Sequence, residues 1–170
     1  MRKSREAFLF DTVALSNFAL AGRLDLLLAR YASKAEITPE VFDEIINGVV
    51  AGYFALKEIE DAVNDGLIAL APPRSSSAER QAYRERLHIL GPGEASCIVH
   101  ATFRGGTVVT DDRTARQCCS ERNIPVTGTV GILKACCRDG ALSIEEADDI
   151  LDRMIDAGYY APVQRINDLG

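Results

Sequence analysis

Five acidic residues stand where carboxylates are not obvious surface charge. Asp11 ends the apolar run Ala7-Phe8-Leu9-Phe10, and Asp111-Asp112 end the β-branched run Thr107-Val108-Val109-Thr110. Glu44 lies beside Val41, Ile45 and Ile46, and Glu94 follows Gly91-Pro92-Gly93 at the start of an apolar-faced stretch. Carboxylates brought together repel one another, and burial raises their pKa values. A divalent cation answers both problems: hard oxygen ligands suit Mg²⁺ or Mn²⁺, which keep waters and bridge to phosphate oxygens. Two such ions about 4 Å apart can activate a water and stabilise the leaving oxygen of an in-line displacement at phosphorus. That chemistry needs no protein nucleophile. The only histidines, His88 and His100, have no serine or cysteine partner in a recognisable motif, so a triad mechanism has little support.

The positions make sense only if the chain folds as alternating strands and helices. Ala7 to Phe10 reads as a strand, and Asp11 to Tyr31 as helices broken at Gly22. Thr38 caps and Pro39 opens a helix that carries Glu44 through Val49. Tyr53 to Val63 is helical, Asn64-Asp65-Gly66 stops it, and Leu67 to Leu70 is a strand closed by Ala71-Pro72-Pro73. Arg74 to His88, with three serines and several arginines, reads as a flexible loop leading into an exposed helix. A helix from Glu94 to about Phe103, a strand Thr107 to Thr110 and a helix Arg113 to Glu121 follow. Ile124-Pro125-Val126 reads as an edge strand, and Gly128 and Gly131 open a helix through Leu133 to Cys137. Ser143-Ile-Glu-Glu146 is a capping box for a last amphipathic helix to Ala157.

Strands and helices in this alternation predict a mainly parallel sheet covered on both faces, whose ligands bind beyond the carboxyl ends of its strands. Asp11 and Asp111-Asp112 both fall at such ends, so the two acidic clusters are expected to meet, with Glu44 and Glu94 nearby. Taken singly, each acid has an ordinary reading. An aspartate after a strand is commonly a turn residue or helix cap, Glu44 alone a solvated helix residue, and Glu94 alone a charge favoured at a helix N-terminus. The acidic stretch Glu145 to Asp156 reads as an exposed helix face.

Bulk properties narrow the function classes. A chain of 170 residues, 47% hydrophobic and 26% charged, is the size of one domain. No apolar run approaches the roughly 20 residues needed to cross a bilayer. The basic start Met1-Arg2-Lys3-Ser4-Arg5 precedes too short an apolar stretch for a secretion signal, so a cytoplasmic location is expected. Five cysteines without C-x-x-C spacing fit a reducing compartment, and the pairs Cys118-Cys119 and Cys136-Cys137 read as packing residues before a zinc site. A net charge of −6 argues against a broad positive nucleic-acid surface, so any such contact must be local or metal-assisted. No Gly-x-Gly-x-x-Gly or Gly-Lys-Thr phosphate loop is present, and Asp11-Thr12-Val13 lacks the Asp-x-Asp of haloacid-dehalogenase-like phosphatases.

Four segments resemble, in order, the acidic motifs of PIN domains: Phe8-Leu-Phe-Asp11-Thr-Val-Ala-Leu, Ile37-Thr-Pro-Glu-Val-Phe-Asp-Glu44-Ile, Gly93-Glu94-Ala-Ser and Val109-Thr-Asp-Asp112-Arg-Thr-Ala-Arg116. Val126-Thr-Gly-Thr-Val-Gly-Ile-Leu133, Leu142-Ser-Ile-Glu-Glu and Ala157-Gly-Tyr-Tyr160 extend the likeness to a prokaryotic subgroup related to VapC-type toxins. No one motif is specific; the ordered set carries the resemblance. It implies a three-layer α/β/α fold, Mg²⁺- or Mn²⁺-dependent cleavage of single-stranded or structured RNA, and often pairing with a cognate antitoxin that blocks the site; a homodimer is expected. Carried over by position, the acidic set is Asp11, Glu44, Glu94 and Asp112. Asp11, Asp112 and Glu94 would ligate metal, and Glu44 would ligate through water or orient the nucleophile. Either aspartate of the pair could face the site, so Asp111 is a further candidate ligand. Thr12, Ser16 and Thr110 would help through their hydroxyls, and Arg113 and Arg116 would meet RNA phosphates. The 72–90 segment departs from the shortest PIN domains as an insertion or lid over a single domain spanning 1–170. Two other functions compete: a non-catalytic PIN-fold interaction module, and a metal-dependent phosphatase of small molecules.

Overall fold

The computed structural model describes residues 6–168; the basic N-terminal stretch weighed above as a leader lies outside them. At the centre is β1 (Phe8–Phe10), whose Leu9 and Phe10 are fully buried. On one side it pairs with β2 (Ala35–Ile37), which pairs in turn with β3 (Ala69–Leu70). On its other side lies β4 (Thr107–Val109), followed by β5 (Val126–Thr127) at the far edge. All four pairings are parallel, giving the order β3-β2-β1-β4-β5. The chain therefore builds outward from β1 on one side and then crosses to begin again at β4 on the other. The gap between the ends of β1 and β4 is the topological switch point, where open parallel sheets form a crevice.

Helices cover both faces, as parallel connections require. Asp11 caps α1 (Thr12–Leu20), and α2 (Leu24–Arg30) follows the turn at Gly22, where φ is +70°. Thr38 caps α3 (Pro39–Val50), a short 3-10 turn leads into α4 (Lys57–Asn64), and α5 (Ser77–Arg86) packs on α6 (Pro92–Arg104). The last three are α7 (Arg113–Glu121), α8 (Thr129–Arg138) and α9 (Ile144–Asp156). The expected capping box opens α9, with Ser143 and Glu146 bonded reciprocally. The result is a three-layer α/β/α fold with an all-parallel central sheet. Its core joins Leu9 and Phe10 of β1 to Phe18 of α1, Ile45 of α3, Ile98 of α6 and Leu133 of α8.

Segment 72–90 contains a second capping box, between Ser76 and Glu79, at the start of α5. Glu79 is buried and accepts hydrogen bonds from the backbone N–H groups of Ser75 (2.7 Å) and Ser76 (2.9 Å) and from Arg104 (2.9 Å). Those donors, led by the backbone ones, hold its carboxyl down at about 2. Four cysteines (97, 118, 119 and 136) are buried and Cys137 is partly so, all as free thiols, in keeping with a packing role. Among the described residues, no helix is long and apolar enough to cross a membrane.

Candidate functional site

The candidate site is built outward from Asp11. The β1 strand delivers this residue to the switch point with its side chain only 1% exposed. Its Oδ1 accepts the Ala14 N–H at 2.8 Å, capping α1, and its Oδ2 accepts the Thr110 hydroxyl at 2.5 Å. Burial drives the Asp11 carboxyl up to about 7 against the pull of those two donors, and repulsion from Asp111 and Glu94 adds to the rise. A carboxyl in that position calls for a positive partner, and among the described residues no lysine or arginine forms an ion pair with it.

Thr110, fully buried at the end of β4, ties the two strand ends together. Its hydroxyl donates to Asp11 and accepts the Asp112 N–H at 3.2 Å. Asp112 is exposed and caps α7 through Oδ1, which accepts the Ala115 N–H at 2.7 Å. Asp111 points elsewhere. Its oxygens accept the Thr129 N–H (2.9 Å), the Thr129 hydroxyl (2.5 Å) and the Tyr159 hydroxyl (3.0 Å), pinning the start of α8 and the chain after α9. The buried Asn17 amide donates to the same Thr129 hydroxyl at 3.1 Å.

Glu44 projects from the second turn of α3 and clamps two other elements. Its Oε1 accepts the Gly93 N–H at 3.0 Å, and its Oε2 accepts an unusually short hydrogen bond from the Thr12 hydroxyl. Glycine at 93 is what permits this approach, since a Cβ there would lie 2.6 Å from Glu44 Oε2. Glu94, in the first turn of α6, is half-buried and folds back so that a Cβ on Gly91 would meet its Oε2 at 2.8 Å. Burial raises its carboxyl, and repulsion from Glu44 and Asp112 raises it further. Beneath these groups, the Cys97 thiol donates to the Phe10 carbonyl at 3.6 Å, and burial lifts it well above the usual thiol range, so it is no nucleophile at neutral pH.

The expected residues thus fall into two hydrogen-bonded groups, Asp11 with Thr110 and Asp112, and Glu44 with Thr12, while Glu94 repels members of both. Ser16 lies outside them, its hydroxyl donating to the Thr12 carbonyl of its own helix at 2.7 Å. Arg116 rests on the end of β4, donating to the Thr110 carbonyl at 3.0 Å, and Arg113 is exposed at the first turn of α7. As the side chains stand, no three histidine, cysteine, aspartate or glutamate residues among those described are grouped so as to hold a metal ion. The donor chemistry nonetheless fits one: every group is a hard oxygen, and Asp11 carries a buried carboxyl that forms no ion pair with a cation among the described residues. Thr129, Tyr159, Asn17 and Gly93 have roles here that the sequence reading did not assign. A tyrosine held to an aspartate 48 positions earlier leaves no local signal.

A parallel sheet with acids at its switch point defines an α/β class that binds its ligands beyond the strand ends. The chain belongs to the PIN-domain family: a family model, DUF3368, described as a PIN domain, matches residues 7–169. No curated protein matches the sequence. PIN domains are in general nucleases that use divalent metal ions, so the fold is nuclease-type.

Proposed function

We propose that the protein is a Mg²⁺- or Mn²⁺-dependent endoribonuclease, the toxin of a toxin–antitoxin pair. The observation that carries the reading is Asp11: a buried carboxyl, raised to about 7, joined through Thr110 to Asp112 and repelled by Glu94. Asp11, Asp112 and Glu94 would hold the ion. Bound there, it would supply an activated water and charge stabilisation at phosphorus. Thr110 fixes Asp11 and the Asp112 backbone in one register. Glu44, with both oxygens engaged by Gly93 and Thr12, positions the start of α6 and hence Glu94. Asp111, held by Thr129 and Tyr159, supports the site and is at most a supplementary ligand. Arg113 and Arg116 meet backbone phosphates, and 72–90 forms a lid on the single domain.

A cognate antitoxin, a homodimer and a cytoplasmic location complete the reading. A short neighbouring gene for a DNA-binding protein, and a purified mass of two chains, are the expected findings. The primary test incubates a mixed RNA pool with purified protein and Mg²⁺ or Mn²⁺, with chelator as control, and maps the product ends. Hydrolysis by water leaves 3′-hydroxyl and 5′-phosphate ends, whereas attack by the RNA's own 2′-hydroxyl leaves a cyclic phosphate. Metal-dependent products of the first kind support the proposal. No cleavage by folded, metal-bound protein would move the reading to a non-catalytic interaction module or a small-molecule phosphatase.

A further inference from the structure

Beside Asp111, on the β5 side of the sheet, lies a cleft of about 580 Å³ whose tyrosine and glycine lining the catalytic reading leaves unexplained. Its walls include Asp111, Arg113 and Arg116, Gly128 at the cap of α8 and Gly131 in its first turn, and the Tyr159-Tyr160 segment. Three features indicate a nucleobase pocket.

The first is the placement of the tyrosines. Gly158, with φ at +109°, turns the chain back after α9, and Tyr159 is then buried with its hydroxyl on Asp111. That anchor leaves its neighbour Tyr160 on the outside, 97% exposed, although it lines the cleft. A large ring left fully in water, beside a residue locked to the site, offers a flat face at small ordering cost.

The second is charge. In a chain of net charge −6, the guanidinium groups of Arg113 and Arg116 form no ion pair among the described residues, and both line the cleft beside Asp111. Arg116 spends one N–H on the Thr110 carbonyl, and its other guanidinium N–H groups form no hydrogen bond among the described residues. Two cations without ion pairs among the described residues, next to a cluster of acids, suit a ligand that carries its negative charge to one place and a neutral ring to another.

The third is room. A Cβ on Gly128 would lie 2.5 Å from Asp111 Oδ1 and 3.0 Å from Arg116 Nη1, and one on Gly131 2.8 Å from Thr127 Oγ1. The glycines let the start of α8 close on those groups and keep this wall of the cleft free of side chains.

We propose that this cleft is a base-binding subsite for single-stranded RNA, resting on the ribonuclease reading above. An unstacked base adjacent to the cleaved phosphate lies on the Tyr160 ring, and Arg113 and Arg116 hold the flanking phosphate. A base still paired in a duplex cannot reach the ring, so the subsite selects unpaired RNA.

The test uses the full chain with Asp11→Asn to block cleavage, titrated with a short fluorescent single-stranded RNA in Mg²⁺. Adding Tyr160→Ala should weaken binding about tenfold, within the range for loss of one stacked base, whereas Tyr160→Phe and Tyr160→Trp should keep it. An RNA with one abasic position next to the scissile bond should lose the same factor, and should lose nothing more in the Tyr160→Ala background. Equal affinity of the Tyr160→Ala and parent proteins, with wild-type protein still cleaving RNA, would overturn the subsite and leave the nuclease standing. Wild-type protein that neither cleaves nor binds RNA would overturn both. Tyr160 is exposed and outside the core, so its variants fold.

Discussion

Replacing Asp11 by asparagine should change not only activity but the pH dependence of folding, by an amount the site itself sets. In the metal-free protein the Asp11 carboxyl sits at about 7, against an ordinary 3.8, chiefly because it is buried. An acid whose folded pKa is raised gives stability that is complete below the unfolded value and is lost as pH rises through the folded one. Between pH 5 and pH 8 that loss is about 2–3 kcal/mol, from about 1.36 kcal/mol per pH unit over the part of the window still to be crossed. The amide has the same shape and does not titrate. Its oxygen can still accept the Ala14 N–H, and its NH₂ can donate to the Thr110 hydroxyl, which has a lone pair to receive it. The stability difference between Asp11→Asn and wild type should therefore shift in the variant's favour by about 2–3 kcal/mol from pH 5 to pH 8, or roughly 5–10 °C in Tm for a chain of this size. Urea unfolding of both proteins at the two pH values, in chelator, measures it, and using the change with pH cancels any fixed packing cost. A difference that does not vary with pH would refute the claim that Asp11 is an uncompensated buried acid.

The same burial predicts that divalent-ion affinity falls as protons compete below pH 7, by up to about tenfold per pH unit, with proton release visible in calorimetry in buffers of different ionisation enthalpy. Gly93→Ala should push Glu44 off the Gly93 amide, given the 2.6 Å approach of the added Cβ, and lower RNA cleavage by up to about a hundredfold while the far-ultraviolet circular dichroism is unchanged. Tyr159→Phe removes a hydrogen bond to a carboxylate and should cost about 1.5–3 kcal/mol in denaturant unfolding.

Much of this architecture is legible in the sequence because its signals are local. Asp11, Thr38, Asp112 and Ser143 all cap the helices whose starts they mark. The strands are harder, because each is only two or three residues long. Ala35-Glu36-Ile37 gives no apolar run, yet it forms β2, with Glu36 buried 3.8 Å from His100. Leu67 and Ile68 look like strand, but both their N–H groups close the end of α4 on the Ala62 carbonyl, so pairing begins at Ala69. Pro125 has no N–H to donate and contributes only its carbonyl, to Val108, so β5 starts one residue later. At the candidate site, a parallel sheet puts Asp11 and Asp111-Asp112 on the same edge, and the crossover that sets β4 beside β1 brings Asp11 to Thr110 and Asp112. What separates Asp111 from Asp112 is a contact with Thr129 and Tyr159, set by tertiary packing and invisible to any spacing rule.

The switch-point carboxylates are proposed to form a divalent-metal site. Titrating the folded protein with Mn²⁺ and following free ion by electron paramagnetic resonance tests it most directly, with Asp11→Asn and Asp112→Asn in parallel. Saturable Mn²⁺ binding near pH 8, competed by Mg²⁺ and weakened at least tenfold in each variant, is the expected result. Binding that is absent, or that both variants retain at full strength, would contradict it.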